Sequence, residues 1–446
     1  MRVHMVLWMV MALLAMFLAP AVQAVPSFTR QTGMNCATCH TVFPQLTPFG
    51  RMFKLSGYTL ANGALNEQAQ QSSRLSENTM APLSAMLLTD YTSMKSSDSG
   101  PVRSKTKDTV QFPQQLSLFY AGRVSNELGA FAQVTLDSSN TIAMDNADVR
   151  YAKTTMVGGV PLIYGISLNN SPTVEDIVNT TPVWGFPFSA PDYANSPDFS
   201  TLLGGGAFAQ TTAGAVAYAM LNNHWYVAAG SYHDTQASSD ATNVGLKGWA
   251  PYLRALYQAQ IDASNFDIGV YAMSGNVTTD VKNPDSSNTA TFKDIGVDGQ
   301  YQYEKDVHTV TLRANYINER LFDAVNLGAS KDNLNIRDVS INGEYYYDRT
   351  YGVGLGRFCK RGRPDTTLYR DGPAATDNNR SISGSPDSNG WVFELNYVPW
   401  LNTKFSLQYT TYSEFDGGDT YISGNTGTVR NAKDNNTLYV AAWINF

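Results

Sequence analysis

The sequence of 446 residues is poor in charge and in cysteine. Charged residues make up 15% of the chain, whereas an ordinary soluble domain has about 25%. The 31 Lys and Arg are outnumbered by 38 Asp and Glu, and no basic run occurs. This balance excludes a nucleic-acid-binding protein. Three cysteines are too few for a disulfide scaffold.

The sequence also lacks the hydrophobicity of a polytopic helical membrane protein, since its mean hydropathy is −0.25. A transmembrane β-barrel remains compatible with this value, because its strands alternate apolar and polar residues. What the chain does have is aromatic residues, which make up 12% and include 25 Tyr and 20 Phe.

The first 24 residues have the layout of an export signal. Arg2 supplies the charged region, residues 5–19 are apolar, and Val22-Gln23-Ala24 is a small-residue cleavage site. A retained membrane anchor is the alternative, but the apolar stretch is short. We expect cleavage after Ala24, so that the mature chain works beyond the inner membrane.

A haem-attachment motif follows directly. Cys36-Ala37-Thr38-Cys39-His40 is a C-x-x-C-H, the spacing of covalent haem c attachment. The two thiols would form thioethers with the haem vinyl groups, and His40 would be the proximal iron ligand. A zinc site would need two more nearby ligands, and a disulfide between the two cysteines would be strained and leave the histidine without a role.

The motif belongs to a predicted haem c module of residues 25–75, in which a short helix spans 49–56 with Thr47 as its N-cap and Pro48 in its first turn. The distal ligand stays open, with Met52 as a weak candidate. Other candidates by sequence are Met34, Met80, Met86, Met94, His224, His233 and His308. The residues expected to pack around the haem are Phe43, Leu46, Phe49, Phe53 and Leu55.

The sequence predicts a porin-like transmembrane β-barrel of about sixteen strands in residues 76–446, with strand-like segments of 9–14 residues separated by Gly, Asn, Asp and Ser turns. Apolar and polar residues alternate in these strands with a period of two, and no helical period fits as well. The clearest windows are 253–261, 294–303, 309–316, 391–397 and 404–411.

Three features favour a transmembrane barrel over a soluble sandwich. Tight turns such as Asn222-Asn223 alternate with long polar loops such as 170–201, and aromatic residues recur near strand ends. The chain ends in an alternating strand with a terminal Phe446, which resembles the assembly signal of bacterial outer-membrane barrels. The fold class is therefore all-β, with a small N-terminal helical module.

Two features of the predicted barrel have competing interpretations. No Asp, Glu, Lys or Arg occurs between Asp198 and Asp234, which could indicate a membrane-spanning helix. Glycines and polar residues interrupt every apolar run of helix length there, so we predict a hairpin instead. Cys359, without a second motif, is interpreted as a buried thiol. The neighbouring Lys360, Arg361 and Arg363 are interpreted as a solvated rim.

The run PSFTRQTGMNCATCHTVFPQLTPFGRMFKLSGYT resembles the N-terminus of the fused cytochrome–porin outer-membrane proteins of iron-oxidising bacteria. This resemblance implies a sixteen-stranded porin domain and one haem c, held by Cys36 and Cys39 and ligated by His40. It further implies oxidation of extracellular Fe(II), with electrons passed to a periplasmic c-type cytochrome or copper protein. The resemblance does not identify a distal ligand.

Two other functions use the same parts. A diffusion porin with an accessory haem would need an open lumen, and an outward-directed metal reductase would differ in potential and partners.

Oxidation outside the cell has a physical rationale, because ferric iron precipitates at neutral pH. Acidic loop residues that could attract Fe(II) are Glu175, Asp176, Asp192 and Asp198, although each is also compatible with an ordinary solvated loop.

Overall fold

The computed structural model describes residues 27–59, 81–99, 104–181, 185–235, 244–279, 288–370, 379–424 and 426–446. The predicted signal peptide, the end of the predicted haem module at 60–75, and Met80 lie outside these ranges.

Among the described residues that precede the barrel, 27–59 form three short helices: α1 (Ser27–Thr32), α2 (Cys36–Cys39) and α3 (Pro48–Leu55). Asn35 caps α2 by accepting the Ala37 N–H at 3.1 Å, and Thr47 caps α3 by accepting the Gly50 N–H at 3.0 Å. The predicted cap and helix are thus confirmed, with the helix one residue earlier than expected. In the ranges above, no helix is both long and apolar enough to cross a membrane.

In the described residues, sixteen long antiparallel strands form one closed barrel, which confirms the predicted fold class. In chain order, β1 to β16 are Leu83–Met94, Asp108–Arg123, Leu128–Asp137, Ile142–Val157, Val160–Asn169, Thr212–Leu221, Trp225–Asp234, Ala250–Ile261, Ser264–Thr278, Ala290–Lys305, His308–Phe322, Leu334–Tyr347, Tyr351–Gly362, Ser388–Trp400, Thr403–Glu414 and Thr437–Asn445.

The loops between these strands contain short strands and helical turns. The short strands are Asp98–Ser99, Ser104–Lys105, Gly245–Lys247, Arg380–Ser381, Thr420–Ile422 and Val429–Asn431. In the part of the loops that the structure describes, the helical turns are α4 (Thr366–Tyr369) and three 3₁₀ turns at Pro172–Glu175, Ala324–Leu327 and Ala432–Asn435.

The first and last strands close the barrel. Each strand pairs with its neighbour in the chain, and β16 pairs with β1 in a register that sets Leu88 opposite Trp443. At the end of this seam Ala85 and Phe446 exchange two backbone hydrogen bonds, of 2.7 and 2.9 Å. The terminal aromatic residue therefore takes part in closing the barrel.

The apolar faces of the strands point outward. In β10, Ile295 is 60% exposed whereas the adjacent Asp294 is fully buried, and the same alternation recurs around the barrel. A soluble sandwich would turn its apolar faces inward, so that alternative is wrong. A closed antiparallel barrel with an even strand number and an apolar exterior spans lipid in the bacterial outer membrane. The chain is therefore an outer-membrane β-barrel protein.

The two ends of the barrel differ in loop length. At one end the connections are short, at 124–127, 158–159, 222–224, 262–263, 306–307, 348–350 and 401–402. At the other end most are long, at 95–107, 170–211, 235–249, 279–289, 323–333, 363–387 and 415–436. Short turns face the periplasm and long loops the exterior in such barrels.

The predicted hairpin within 198–234 is confirmed, because β6 and β7 pair antiparallel. Asn222 and Asn223 connect them with positive φ angles of 52° and 55°, a conformation that asparagine tolerates better than most residues. Residues 199–211 are loop, so the helical alternative for this stretch is not observed.

Candidate functional site

The haem-attachment motif lies at the periplasmic mouth of the barrel. Helix α1 is fixed to the rim there, since the Gln31 side chain donates to the Ala121 carbonyl at 2.8 Å and the Arg30 guanidinium donates to the Leu83 carbonyl. Helix α2, which carries the two motif cysteines, follows after a turn. Its flanking Asn35 and its own Thr38 are exposed, so this side of the motif faces the periplasm.

Cys36 and Cys39 lie on a single helical turn, and both are free thiols. The Thr29 hydroxyl is 3.7 Å from the Cys36 sulfur. Burial, with a smaller effect from Cys36, raises the pKa of Cys39 to about 11. A thiol that stays protonated is a poor nucleophile, which argues against a dithiol redox site of the kind that depends on a lowered pKa.

His40 follows α2 and turns its ring into the protein. Its Nδ1 atom is buried without a hydrogen-bond partner, and its ring centroid lies 5.4 Å from that of Phe43. Burial lowers the pKa of His40, and backbone groups of Pro44 and Gln45 offset only part of that effect. The imidazole is thereby kept neutral, which is the form that ligates a metal.

Helix α3 supports the motif from the lumen side. A Cβ atom at Gly50 would lie 2.3 Å from the Cys39 carbonyl oxygen, so only glycine permits this close approach of α3 to α2. Thr47 adds two bonds, from its N–H to the Cys39 carbonyl at 2.9 Å and from its hydroxyl to the Thr38 carbonyl at 2.8 Å.

Met52 does not face the motif. It follows Gly50 by two positions, about 200° around the helix, and it packs against the large apolar cluster on the barrel wall. The structure therefore gives this weak distal-ligand candidate a packing role.

Five of the other candidate distal ligands have positions away from the motif, whereas Met34 lies two residues before Cys36. His224 and His308 lie on periplasmic turns, where their Nδ1 atoms are 2.8 Å from the Gln258 carbonyl and from the Tyr345 hydroxyl. Met86 and Met94 are buried in β1, and His233 packs against Trp249 near the outer end of β7.

The residues of the motif fit a covalent haem c. Two free thiols on one turn, a buried neutral imidazole with an unpartnered nitrogen, and an aromatic neighbour are the groups that such a haem requires. Within the described ranges no group of three His, Cys, Asp or Glu is arranged to hold a metal ion. The zinc alternative therefore has no set of ligands there.

After the motif, residues 41–59 enter the barrel and fill its periplasmic half; we call them the plug segment. Its Arg51 is fully buried and donates to Gln258 and Gln302, both at 3.1 Å, and to Asp267 at 3.3 Å. These partners lie on the inner faces of β8, β10 and β9.

Further plug contacts reach other parts of the wall. The Gln45 amide donates to the Glu344 carboxylate on β12, and the Tyr58 hydroxyl donates to Asp148 on β4, both at 2.5 Å. Of the predicted haem-packing residues, Phe43 lies beside the His40 ring, as expected. Phe53 packs against Phe28, with ring centroids 4.9 Å apart, whereas Leu55 joins the apolar cluster on the barrel wall.

The long loop 170–211 folds inward above the plug segment. Glu175 and Asp176 are buried and form ion pairs with Arg150 at 3.1 Å and with Arg254 at 3.0 Å. Lys54 of the plug donates to the Val174 carbonyl at 2.6 Å, which connects the two inserted segments. The interpretation of Glu175 and Asp176 as solvated is therefore wrong, because they pair with arginines that belong to distant strands. Asp192 and Asp198 are exposed.

A cavity of about 400 Å³ remains on the extracellular side, between the inward loop and strands β11 to β15. Asp198 and Asp338 line it together with Arg357 and Lys360. One oxygen of Asp338 is buried and has no hydrogen-bond partner. The lumen thus has an open outer cavity above a filled periplasmic half.

Two smaller predictions need correction. Cys359 is only half-buried, because its position on β13 faces outward near the end of the strand. Lys360 lines the inner cavity, and Arg361 pairs with Asp387 at 3.6 Å and with Glu414. Only Arg363, which is exposed, matches the predicted solvated rim.

No protein-family model and no curated protein matches the chain. Solved porins resemble it over 82% of its length. They include the outer-membrane channel DcaP of Acinetobacter baumannii, at 9% identity, 96% coverage of that chain and a TM-score of 0.49. Salmonella typhi OmpF, in a complex with daunomycin, is 15% identical, with 97% coverage and a TM-score of 0.48. The barrel is defined by the strand pairing itself.

Proposed function

We propose that this protein is an outer-membrane electron-transfer protein that oxidises extracellular Fe(II) and passes the electron to a periplasmic c-type cytochrome or copper protein. The observation that supports this is the position of the C-x-x-C-H motif, at the periplasmic mouth and directly before the plug segment, which occupies the periplasmic half of the lumen. A bound haem c would supply a one-electron Fe(III)/Fe(II) couple there.

Each residue of the motif has a separate role in this proposal. Cys36 and Cys39 hold the haem covalently, and His40 supplies a neutral imidazole nitrogen to its iron. Gly50 permits the close contact of α3 with α2 that keeps the motif in position. The exposed side of α2 gives a periplasmic electron carrier access to the motif.

The substrate side of the proposal concerns the outer cavity. The apolar band of such a barrel is about 25 Å tall, so Fe(II) has to enter the lumen before its electron can reach the periplasmic mouth. Asp198 and Asp338 give the cavity two carboxylates for a divalent cation, next to the cationic Lys360. The Arg357 guanidinium instead lies 4.9 Å from the centroid of the outward Trp391 ring. Each Fe(II) gives up one electron and leaves outward as Fe(III).

The filled lumen favours electron transfer over diffusion of solutes. The plug segment and the inward loop bury the polar side chains of the barrel wall, including Arg254, Asp267 and Arg313, each at most 5% exposed. A diffusion porin keeps such side chains in contact with water. The burial of these side chains supports the electron-transfer proposal, whereas the barrel fold itself fits a porin with an accessory haem equally well.

The test is anaerobic addition of Fe(II) to the outside of proteoliposomes that contain the full chain. We expect the absorption bands of reduced haem c to appear in the wild type and in the C359A control. His40→Ala should lose this response while the barrel still folds. A haem that stays oxidised in excess Fe(II), at acidic and at neutral pH, would rule out iron oxidation. Solute flux that is independent of haem would instead favour the porin.

A further inference from the structure

Three basic side chains form a patch on the outer wall of the barrel, at the extracellular end of β10 to β12. We call Lys293, Arg320 and Arg337 the basic patch; all three are exposed. Lys293 lies directly opposite Arg320 across the β10–β11 pair. Arg337 follows on β12, where its Nε is 3.4 Å from the Asn318 amide oxygen on β11.

The patch sits just above the lipid-facing band. Two residues further towards the periplasm on β10 is Ile295, which is 60% exposed, a step of about 7 Å at the usual rise of a strand. On β12, Ile341 is 53% exposed below Arg337. Basic side chains at this height lie at the level of the lipid headgroups of the outer leaflet.

Within the described residues, no carboxylate pairs with the basic patch. Other outward basic residues do have partners: Lys153 pairs with Glu127 at 3.3 Å, and Arg361 pairs with two carboxylates. Lys293 contacts only the Phe322 ring among charged or aromatic groups, with its ammonium 5.2 Å from the centroid. Like charges placed directly opposite on two strands destabilise a sheet. An anion bound between Lys293 and Arg320 would offset this repulsion, because opposite charges attract.

We propose that the basic patch binds the phosphate groups of a phosphorylated lipid of the outer leaflet. Arginine guanidinium groups match phosphate oxygens in geometry and charge, and lysine adds a point charge beside them. Clusters of basic residues next to a membrane-spanning segment attract anionic headgroups in this way. The inference is independent of the haem and of iron oxidation.

The test measures binding of lipid A to the full-length protein in neutral detergent micelles, by native mass spectrometry. Each basic residue near a charged membrane surface contributes about fivefold to binding. The triple variant K293Q/R320Q/R337Q should therefore bind on the order of a hundredfold more weakly. The matched control is K95Q/K107Q/K433Q, which removes three exposed charges from other extracellular loops and should bind like the wild type.

Two further arms identify the source of the phosphate. Lipid A without its phosphates should bind the wild type as weakly as intact lipid A binds the triple variant, and millimolar inorganic phosphate should not displace intact lipid A. If the triple variant does not fold, R320Q alone should bind about fivefold more weakly. Equal binding by variant and wild type, undiminished binding of phosphate-free lipid A, or displacement by inorganic phosphate would overturn the proposal.

Discussion

The guanidinium of Arg51, on the plug segment, lies 3.3 Å from the carboxylate of Asp267 on β9, and both side chains are completely buried. The pair joins the N-terminal segment to the barrel wall. Because the remaining donors of Arg51 bond to Gln258, Gln302 and the Leu46 carbonyl, a single side chain fixes the plug to three strands.

Replacing this arginine should loosen the plug. Arg51→Met leaves Asp267 buried without its cation, and loss of one partner of a buried ion pair costs about 3–5 kcal/mol. We expect a lower temperature of heat modification in gels and a higher ion conductance in planar bilayers. The control is the double variant R51M/D267L, which should recover much of the stability because it buries no lone charge. Unchanged melting and conductance in R51M would contradict a fixed plug.

The motif cysteines should carry the haem. Replacing both Cys36 and Cys39 with Ala should abolish haem staining in denaturing gels, because no sulfur remains to form a thioether. Cys359→Ala should stain like the wild type. Covalent haem that persists in the double variant would contradict the assignment of Cys36 and Cys39 as the haem-attachment residues, whichever function the protein has.

The last residue should govern assembly. Deleting Phe446 removes both backbone hydrogen bonds to Ala85 at the barrel seam. We expect a smaller heat-modifiable fraction in the outer membrane. Phe446→Ala keeps the backbone bonds and loses only the ring, so its defect should be milder. If both variants assemble equally poorly, the ring rather than the backbone pairing is what assembly requires.

Lys54 should make stability depend on pH in the alkaline range. Burial, with a smaller effect from Arg150, lowers the pKa of Lys54 from 10.5 to about 8. Below pH 8 the folded state holds a buried ammonium, which lowers the free energy of unfolding. This destabilisation is lost between pH 8 and 10.5, where the folded chain has released the proton and the unfolded chain still binds it.

The measurement for Lys54 is the free energy of unfolding of wild type and Lys54→Met from pH 7 to 10.5. Relative to the variant, the wild type should gain about 3 kcal/mol between pH 8 and 10.5. Lys433→Met, at an exposed position, should show no such difference from the wild type. Parallel profiles of wild type and K54M would show that the lysine is already neutral or is paired in both states.

Much of the fold could be predicted because the alternation of apolar and polar residues within each strand shows which residues face lipid and which face the lumen. Ile295 and Val297 alternate with Asp294 and Asp298 in the sequence, and in the barrel the first pair faces lipid and the second faces the lumen. The turn at Asn222-Asn223 was predictable for the same reason, since a two-residue asparagine turn is a local signal.

The contents of the lumen could not be predicted in this way. Arg51 forms hydrogen bonds to residues more than 200 positions away in the sequence. Glu175 lies in a polar loop, so the sequence predicted a solvated side chain, but in the fold it pairs with Arg150 and accepts a hydrogen bond from Tyr226. A weak signal for Arg51 existed, because an arginine in helix α3, whose other residues apart from Lys54 are uncharged, needs a buried partner or a surface. Only the three-dimensional structure shows that Arg51 has buried partners and is not exposed at a surface.

The plug segment has a consequence for the order of folding. Gln45 and Glu344 are separated by 299 residues, and Arg51 and Gln302 by 251. Contacts between such distant parts of a chain form late, since the loop between them has to close first. Residues 41–59 therefore leave the ribosome before every strand of the barrel and are among the last to find their partners. During that interval the cysteines beside them remain accessible to any enzyme that modifies them.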